Sequence, residues 1–374
     1  MGNDLEDELE EALEHEAPPD RANIALYGAT GAGKSTLLNA IFGAPMAETG
    51  VGAPVTSETQ LFVNETGTLA IYDGAGLEIG QRSPFRDIKR RVLRNRTGQI
   101  EDLIHVAWYC VNSRTDRLED GQRKVIEHLA ERGIPVVLVL TKVNVRVGVI
   151  DPAAVALSDA IRGMKLPIVT GRPVLTSAIE DEFNGVGRYG LEHLLDVTYG
   201  VVPEAQKVAL AAAQQIDLKI KARYARSWIA GAVAFATGVG ATPIPVADTP
   251  ILIGAQAALM AKIAAIYNIP KGKAAMLVGS ATAAAATGGK LAATSLLKLV
   301  PGVGNVISGG VAGTITGVLG ESWRVTSEKV FTGKLSLDST KQIAEVADVF
   351  LSNVKSGTGA DTAPGTAGPA GSGT

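Results

Sequence analysis

The N-terminal half of the chain alternates between short apolar runs and stretches with helical spacing. The apolar runs predict six strands, at 23–28, 59–64, 68–73, 103–110, 134–141 and 172–176. Helical spacing predicts five helices, at 34–42, 84–95, 119–132, 152–162 and 187–198. The fourth and fifth strands are almost entirely hydrophobic, which is typical of parallel strands covered on both faces. The alternation of strand and helix predicts a doubly wound α/β domain over residues 21–200, with helices on both faces of the sheet.

One pair of strands breaks this parallel order. Three residues, Glu65-Thr66-Gly67, separate the second and third apolar runs. So short a connection fits a hairpin, because parallel strands need a much longer crossover. We therefore predict a six-stranded, mostly parallel sheet with one antiparallel edge strand.

Beyond this domain the strand pattern ends and a different composition begins. A linking helix is predicted at 203–226, and the following residues 228–320 hold only six charged side chains. The stretches 228–247 and 299–320 hold none, and their lengths match a bilayer span. Their Gly, Ala and Pro content makes them weak spans and also suits helices that pack closely in a bundle. We expect an all-α, membrane-associated domain over 201–355, and leave open whether its helices span, lie on or avoid the bilayer.

The two ends of the chain differ from both domains. Residues 1–20 contain nine acidic side chains and neither Lys nor Arg, whereas the whole chain has a formal net charge of −3. We interpret them as a solubilising acidic segment, with an intramolecular mask and a partner-binding hook as alternatives. Residues 356–374 are rich in Gly, Ser, Thr and Ala, and we predict that they are disordered.

The single cysteine, Cys110, excludes an internal disulfide and fits a reducing compartment. It ends an apolar run, so we interpret it as a buried structural thiol. No basic segment followed by an apolar run occurs at the N-terminus, so no signal peptide is expected. We therefore expect a cytoplasmic protein at the inner face of the cell membrane, either peripheral or integral.

Residues 28–35 supply the first candidate chemistry, because they fit the phosphate-binding pattern G-x-x-x-x-G-K-S between a predicted strand and a predicted helix. Glycines let backbone N–H groups approach phosphates, and a helix N-terminus adds a positive dipole. Lys34 is expected to reach the β- and γ-phosphates, and Ser35 to bind Mg²⁺. The residues expected to contact the nucleotide here are Gly28, Ala29, Thr30, Gly31, Ala32, Gly33, Lys34, Ser35 and Thr36.

Two further segments have the positions of phosphate-sensing elements. Asp73-Gly74-Ala75-Gly76 ends a predicted strand and reads D-x-x-G. Asp73 is expected to hold Mg²⁺ through water, and the Gly76 N–H to sense the γ-phosphate. Thr56 is the candidate switch threonine that closes on Mg²⁺, with Thr59 as the alternative.

Two more segments have the positions of base-reading elements. Thr141-Lys142-Val143-Asn144 ends the fifth predicted strand, and we expect Lys142 and Asn144 to read the base with Thr141 beside them. Ser177 and Ala178 follow the sixth strand, where a backbone N–H commonly meets the guanine carbonyl.

In this order, each after its own strand, these motifs resemble those of Era-like GTPases of the translation-factor-related class. The resemblance covers residues 21–200. It implies a G-domain fold, GTP and GDP as ligands, Mg²⁺ as cofactor, and hydrolysis of GTP to GDP and phosphate. The later segments 241–248, 256–260 and 263–267 resemble a helical domain of unknown function found fused to bacterial Era-like GTPases. That domain is usually predicted to be membrane-associated, so the resemblance implies membrane lipid as a partner.

Three positions depart from the family pattern. Asn144 stands where the family has an aspartate that accepts two hydrogen bonds from guanine, so we predict weaker guanine binding and less selectivity against xanthine. Leu77 stands where Ras-like enzymes have a water-orienting glutamine. Gly31 stands where some relatives hold a potassium ion with an asparagine. We therefore predict slow hydrolysis accelerated by self-association or a membrane, with a partner or Glu78 as other sources of the missing group.

The predicted function is a GTP-hydrolysing switch that acts at a membrane. Seven Arg and Lys residues between positions 82 and 96 predict a basic amphipathic helix that contacts anionic lipid, RNA or the acidic segment, or is simply solvated. No aromatic side chain lies within residues 86–96, so nucleic acid is not the expected partner. Two alternatives remain: a ribosome- or RNA-associated assembly GTPase, and a slow-turnover scaffold that forms a homodimer or larger oligomer.

Overall fold

The structure is a computed structural model that describes residues 21–43, 54–56, 59–64, 66–74, 103–146, 148–180, 187–241, 249–287 and 309–356. These residues divide into two compact units: one ends at Leu218, and the other begins at Lys219. The predicted helix at 84–95, the acidic segment, the basic cluster and the C-terminal tail beyond Ser356 lie outside the described residues.

The first unit is built from strands and helices in alternation. Its strands are β1 (Ala22–Tyr27), β2 (Pro54–Thr56), β3 (Thr59–Val63), β4 (Leu69–Gly74), β5 (Val106–Asn112), β6 (Val136–Thr141), β7 (Val145–Arg146), β8 (Val149–Ile150) and β9 (Val174–Leu175). Its helices are α1 (Lys34–Phe42), α2 (Asp120–Glu131), α3 (Pro152–Gly163), α4 (Leu191–Val201) and α5 (Glu204–Ala213).

One sheet has the strand order β2-β3-β4-β1-β5-β6-β9, and β7 and β8 form a separate hairpin. The pairs β4–β1, β1–β5, β5–β6 and β6–β9 are parallel, whereas β2–β3 and β3–β4 are antiparallel. All six predicted strands are present, which confirms the mostly parallel sheet and the predicted hairpin. The short strand β2 at the sheet edge is an addition that the apolar pattern did not predict.

The hairpin between β3 and β4 turns on a small group of polar side chains. The Asn64 amide oxygen accepts from the Leu69 N–H at 2.9 Å, and its NH₂ donates to Thr66 and Thr68, each at 2.9 Å. Gly67 has φ 69°, a left-handed conformation that favours glycine. Local polar chemistry therefore fixes the register of the edge strands.

The centre of the sheet is buried on both faces. Strands β1 and β6 are buried along their whole length, and β5 along all but its last residue. Trp108 of β5 donates from Nε1 to the Thr198 hydroxyl of α4 at 3.0 Å, and its ring stacks on Phe42 of α1 at 6.0 Å between centroids. This one side chain therefore ties α1, which begins at Lys34, and α4 to the same strand.

The helical segment after residue 200 starts inside the first unit. Helix α5 buries its residues 209–213, and the Gln215 N–H donates to the Ile41 carbonyl of α1 at 2.8 Å. The Gln214 side-chain oxygen then accepts from the N–H groups of Ile216 and Asp217 at 2.9 and 2.7 Å. The single linking helix predicted at 203–226 is wrong, because these hydrogen bonds form a turn between two helices.

The second unit is all helical, as predicted. It consists of α6 (Leu218–Ala241), α7 (Thr249–Ile266), α8 (Lys271–Thr287), α9 (Gly309–Phe331) and α10 (Thr340–Ser356). Among the helices that the structure describes, none is both long and apolar enough to cross a membrane.

Helix α9 packs closely against its neighbours through glycines and one tryptophan. A Cβ on Gly320 would come within 2.9 Å of Ile229 Cγ1 on α6 and 3.1 Å of Leu259 Cδ2 on α7. Trp323 is fully buried; its Nε1 donates to the Met260 carbonyl at 2.9 Å, and its ring meets that of Phe350 of α10 edge-on. The small residues predicted to permit close helix packing have that role along α9.

The second unit also buries charged side chains. Arg324 donates to Glu321 at 2.8 Å and to Glu328 at 2.6 Å, and Arg226 donates to Glu321 at 3.1 Å. Lys221 is fully buried; its Nζ donates to the Ile266 carbonyl at 2.7 Å and lies 4.5 Å from the centroid of the Phe331 ring. Burial lowers the pKa of Lys221 to about 7. These polar groups are satisfied within the helical unit itself.

Candidate functional site

The loop from Gly28 to Gly33 joins β1 to α1 and depends on two glycines. Gly28 has φ 138°, and a Cβ there would collide with the Cys110 carbonyl oxygen of β5. Gly33 has φ 86° and immediately precedes α1. Cys110 is a buried free thiol, and burial raises its pKa to about 12, as suits the structural role predicted for it. The loop is therefore held tightly against the neighbouring strand.

The side chain of Lys34 folds back over this loop. Its Nζ donates to the Gly28 carbonyl at 2.9 Å and to the Ala29 carbonyl at 3.3 Å. Ser35 and Thr36 are exposed in the first turn of α1. The structure thus places one ammonium group and two hydroxyls at the helix N-terminus, where the dipole favours an anion.

Asp73 lies on β4 directly beside this loop, since β4 pairs with β1 and Asp73 is in register with Leu26. Its Oδ1 is buried and has no hydrogen-bond partner. Burial raises the pKa of the Asp73 carboxyl above its ordinary value, and the positive charge of Lys34 opposes that effect. A buried carboxylate oxygen without a donor is a group that a cation would stabilise.

The donor set beside the loop suits Mg²⁺. Hard oxygen ligands are what this ion prefers, and it usually binds through one or two carboxylates together with phosphate and water oxygens. Asp73 offers the unpartnered carboxylate and Ser35 an exposed hydroxyl. No cluster of three or more His, Cys, Asp or Glu suited to a metal occurs among the described residues.

The segment after β6 is tied to the phosphate-binding loop by two side chains. Thr141 Oγ1 donates to the Ala32 carbonyl, and Lys142 Nζ donates to the Gly31 carbonyl at 2.7 Å. Lys142 has φ 58°, a left-handed conformation that is uncommon for a side chain of this size. The predicted base-reading and phosphate-binding segments are therefore parts of one site.

The turn after β9 joins the same site. The Val143 N–H donates to the Thr176 carbonyl at 3.0 Å, which holds the two segments side by side. The Ser177 N–H already donates to the Tyr189 carbonyl at 2.9 Å. The backbone donor for a base carbonyl is therefore expected from Ala178 rather than from Ser177.

A cavity of about 290 Å³ opens between these segments. Gly33 and Thr36 line it from the phosphate side, Asn144 from the segment after β6, and Ala178 from the turn after β9. Residues far apart in the sequence thus surround one space that adjoins the phosphate-binding loop.

Arg114 also lines this cavity, and sequence reasoning missed it. It belongs to the turn after β5, and its Nη2 donates to Asn144 Oδ1 at 3.4 Å. The available signal was its position four residues beyond a predicted strand. The sequence pattern did not reveal that β5 and β6 would be neighbours.

The remaining predicted site residues are not located by the structure. The backbone of Thr56 forms the end of β2, but its side chain lies outside what the structure describes. Gly76, Leu77 and Glu78 also lie outside the described residues, so their predicted roles stay predictions.

Comparison with known proteins bears on the domain that holds this site. Residues 23–142 match the family described as 50S ribosome-binding GTPase. This part of the chain is a P-loop GTPase domain. The match confirms the GTPase domain that the motifs predicted and supports guanine nucleotide as its ligand. The Era-like class and the C-terminal resemblance stay predictions. No curated protein matches the chain.

Solved structures of three proteins are similar to this chain at low identity. The G domain of the T. maritima FeoB iron transporter has 18% identity and a TM-score of 0.29, covering 48% of this chain and 98% of that one. A variant of S. thermophilus NFeoB bound to GDP has 16% identity and a TM-score of 0.31, covering 89% of this chain and 97% of that one. Toc33 from Arabidopsis thaliana with Mg²⁺ and GMPPNP has 13% identity and a TM-score of 0.34, covering 54% of this chain and 94% of that one. Similarities at these scores carry no functional conclusion.

Proposed function

We propose that this chain is a switch that binds GTP, hydrolyses it to GDP and phosphate, and acts at a membrane through its helical unit. The nucleotide part rests on the hydrogen bonds that join Lys142 to Gly31 and Thr141 to Ala32. They hold the base-reading segment against the phosphate-binding loop, so a single nucleotide can contact both. The useful output is the conformational difference between the two nucleotide states.

Lys34 is the group that exchanges partners when phosphate binds. Its Nζ donates to two neutral carbonyls, and phosphate oxygens are stronger, charged acceptors. The N–H groups of the loop and the first turn of α1 add further donors. Lys142 stays bound to the loop, and its stem packs over the base.

Ser35, Asp73 and Thr56 are the residues that would hold Mg²⁺, which neutralises charge on the β- and γ-phosphates when bound. Asp73 contributes a carboxylate that burial has left without a donor, and Ser35 contributes its hydroxyl. The attacking water needs an orienting group that Leu77 does not offer. We therefore expect slow hydrolysis by the protein alone.

Competition against labelled GDP tests the nucleotide assignment. GTP should displace it and ATP should not, and Lys34→Ala should weaken binding at least tenfold because it removes a charge-assisted contact. Asp73→Asn should abolish hydrolysis in single-turnover assays. Equal competition by ATP would overturn the guanine assignment, and no binding of any nucleotide would overturn the switch.

The membrane part rests on an exposed face of α6. Trp228 and Phe235 are 38% and 49% exposed, and their spacing of seven residues places them on one side of the helix. Lys262 Nζ lies 4.6 Å from the centroid of the Trp228 ring, and Arg223 is exposed nearer the helix start. Aromatic rings beside cationic groups suit the surface of an anionic bilayer. We place the protein in the cytoplasm at the inner face of the cell membrane.

Flotation with anionic liposomes tests this assignment, with GDP compared to a non-hydrolysable GTP analogue. Wild-type protein should float, and a variant with Trp228→Ala and Phe235→Ala should not. Met276→Ala is the matched control, because Met276 is 49% exposed on a different helix, α8. Equal flotation of the double variant and the control would overturn the role of this face, and absence of wild-type flotation would overturn membrane action.

A second function is favoured by the description of the matching family, which names binding to the 50S ribosomal subunit. Nucleotide-dependent cosedimentation with 50S subunits, together with no flotation, would favour the assembly GTPase. Nucleotide-dependent oligomers without turnover, with or without liposomes, would favour the scaffold.

A further inference from the structure

The cavity beside the phosphate-binding loop has an unusual polarity for a site that reads guanine. Among its lining residues that the structure describes, none is Asp or Glu, and the charged ones are Arg114 and Lys142. Lys142 is already committed to the Gly31 carbonyl at 2.7 Å. Arg114 instead donates to Asn144 Oδ1 at 3.4 Å, within the segment that the sequence predicts to read the base.

The contact with Arg114 also indicates which end of the Asn144 amide faces the guanidinium. A guanidinium has only N–H donors, so the amide of Asn144 can meet it only through its oxygen. The NH₂ group of Asn144 is then turned away from the Arg114 guanidinium. Together the two side chains present donors where the family pattern has a carboxylate acceptor.

The turn that carries Arg114 is fixed independently of this contact. The Arg114 N–H donates to Asn112 Oδ1 at 3.0 Å, and the Ser113 N–H donates to the Thr141 carbonyl at 2.9 Å. Asn112 and Thr141 are partners in the β5–β6 register. The backbone of Arg114 is therefore held beside the base-reading segment by the sheet.

We propose that Arg114 sets the base selectivity of this site, by lowering its preference for guanine, which carries an amino group at C2, relative to purines that carry an acceptor there. Guanine would bring N1–H and N2–H₂ donors against the donors of Arg114 and Asn144. Xanthine has an oxo group in place of the amino group at C2, and this oxo group accepts from Arg114. Hypoxanthine carries neither group at C2. The site thus accepts 2-oxopurine nucleotides as well as guanine nucleotides, an inference that rests on the proposed nucleotide site and on Arg114 as its specificity-determining residue.

Calorimetric titration of the full chain with GDP, XDP and IDP tests this inference through the ratio of dissociation constants. Wild-type protein should bind XDP with an affinity comparable to that for GDP. Arg114→Met keeps the side-chain length without the donors and should shift the GDP/XDP ratio toward guanine about tenfold, the effect of one hydrogen bond to a charged group. Arg114→Lys should retain part of the tolerance of XDP.

Arg117→Met is the matched control, because Arg117 is an exposed arginine of the same turn and is not among the described lining residues. The GDP/XDP ratio of Arg117→Met should equal that of the wild type. If XDP and GDP bind but Arg114→Met and Arg117→Met give the same ratio, Arg114 has no role and the inference is overturned while the nucleotide site stands. If none of the three diphosphates binds, the proposed function itself fails.

Asn144→Asp provides a second, independent variant. It restores the carboxylate acceptor and supplies Arg114 with an ion-pair partner, so the ratio should move further toward guanine than in Arg114→Met. A shift in Asn144→Asp without any in Arg114→Met would assign the specificity to Asn144 alone and overturn the role of Arg114.

Discussion

Two carboxylates, that of the half-buried Asp73 in the first unit and that of the buried Glu321 in the second, have opposite surroundings. Asp73 Oδ1 has no donor, and burial raises its pKa despite the charge of Lys34. Burial also acts to raise the pKa of Glu321, but hydrogen bonds and charges of Arg324 and Arg226 outweigh it and lower the pKa. An unsatisfied carboxylate indicates a place for a ligand, whereas a satisfied one belongs to the internal packing.

The same contrast extends to the units as wholes. In the first, polar side chains gather where neighbouring strands end and surround an open cavity. In the second, a network of charged side chains lies between helices, and its members bond to one another: Arg226, Glu321, Arg324 and Glu328. Loss of a polar partner should therefore lower stability in the helical unit, whereas in the GTPase domain it should lower ligand binding.

Removing the centre of the buried network should have the largest effect on stability. Arg324→Met leaves Glu321 and Glu328 without their shared partner, and we expect a loss of about 3–5 kcal/mol in the free energy of unfolding. Urea unfolding followed by circular dichroism measures it. Lys341→Met is the control, because its pair with Glu345 is exposed and should contribute less than about 1 kcal/mol. Equal losses would show that burial does not give this network more weight than an exposed ion pair in the stability of the helical unit.

Adding one methyl group between helices should have the next largest effect. Gly320→Ala places a Cβ within 2.9 Å of Ile229 Cγ1, and we expect a loss of about 2 kcal/mol from overpacking. Gly231→Ala of α6 meets no atom within 4 Å and should instead gain about 0.5–1 kcal/mol from helix propensity. The thermal midpoints of the two variants should move in opposite directions. A gain in both would show that α9 and α6 are not closely packed here.

Lys221 allows a test of the pH dependence of the helical unit. Its pKa is about 7 in the folded protein, below the ordinary 10.5, so between these values the unfolded chain binds more protons. Stability should therefore rise with pH above about 7, by at most about 1.4 kcal/mol per pH unit. Lys221→Met should remove this rise, and Lys355→Met, at an exposed position, should keep it. A flat wild-type profile would contradict the buried ammonium.

Asp73→Asn should have the smallest effect on stability and a complete effect on function. Because burial raises the pKa of Asp73, the ligand-free protein should lose stability as pH rises through this raised pKa. The neutral amide of Asp73→Asn should remove that loss of stability. We expect a gain of about 1 kcal/mol near neutral pH without nucleotide or Mg²⁺, with loss of hydrolysis. A destabilised variant would mean that Asp73 is a structural partner, like Glu321.

Patterns confined to neighbouring residues predicted most of the GTPase domain. Helix α1 begins and ends at the predicted residues, and the loop before it has the expected glycine conformations at Gly28 and Gly33. Apolar runs located the six main strands because burial on both faces needs continuous hydrophobic sequence. The short strand β2 gave no such signal, since its pairing at the edge depends on β3 rather than on its own composition.

By itself, the sequence determined where a phosphate-binding loop forms, because a strand, a turn with left-handed glycines and a helix start are encoded within about a dozen residues. Tertiary structure alone decided that Arg114 meets Asn144, thirty positions away, because that contact depends on β5 and β6 pairing in register. It likewise decided that Lys221 and Arg324 are buried rather than solvated. A charged residue is exposed by default, and only neighbouring helices can supply the partners that let it be buried.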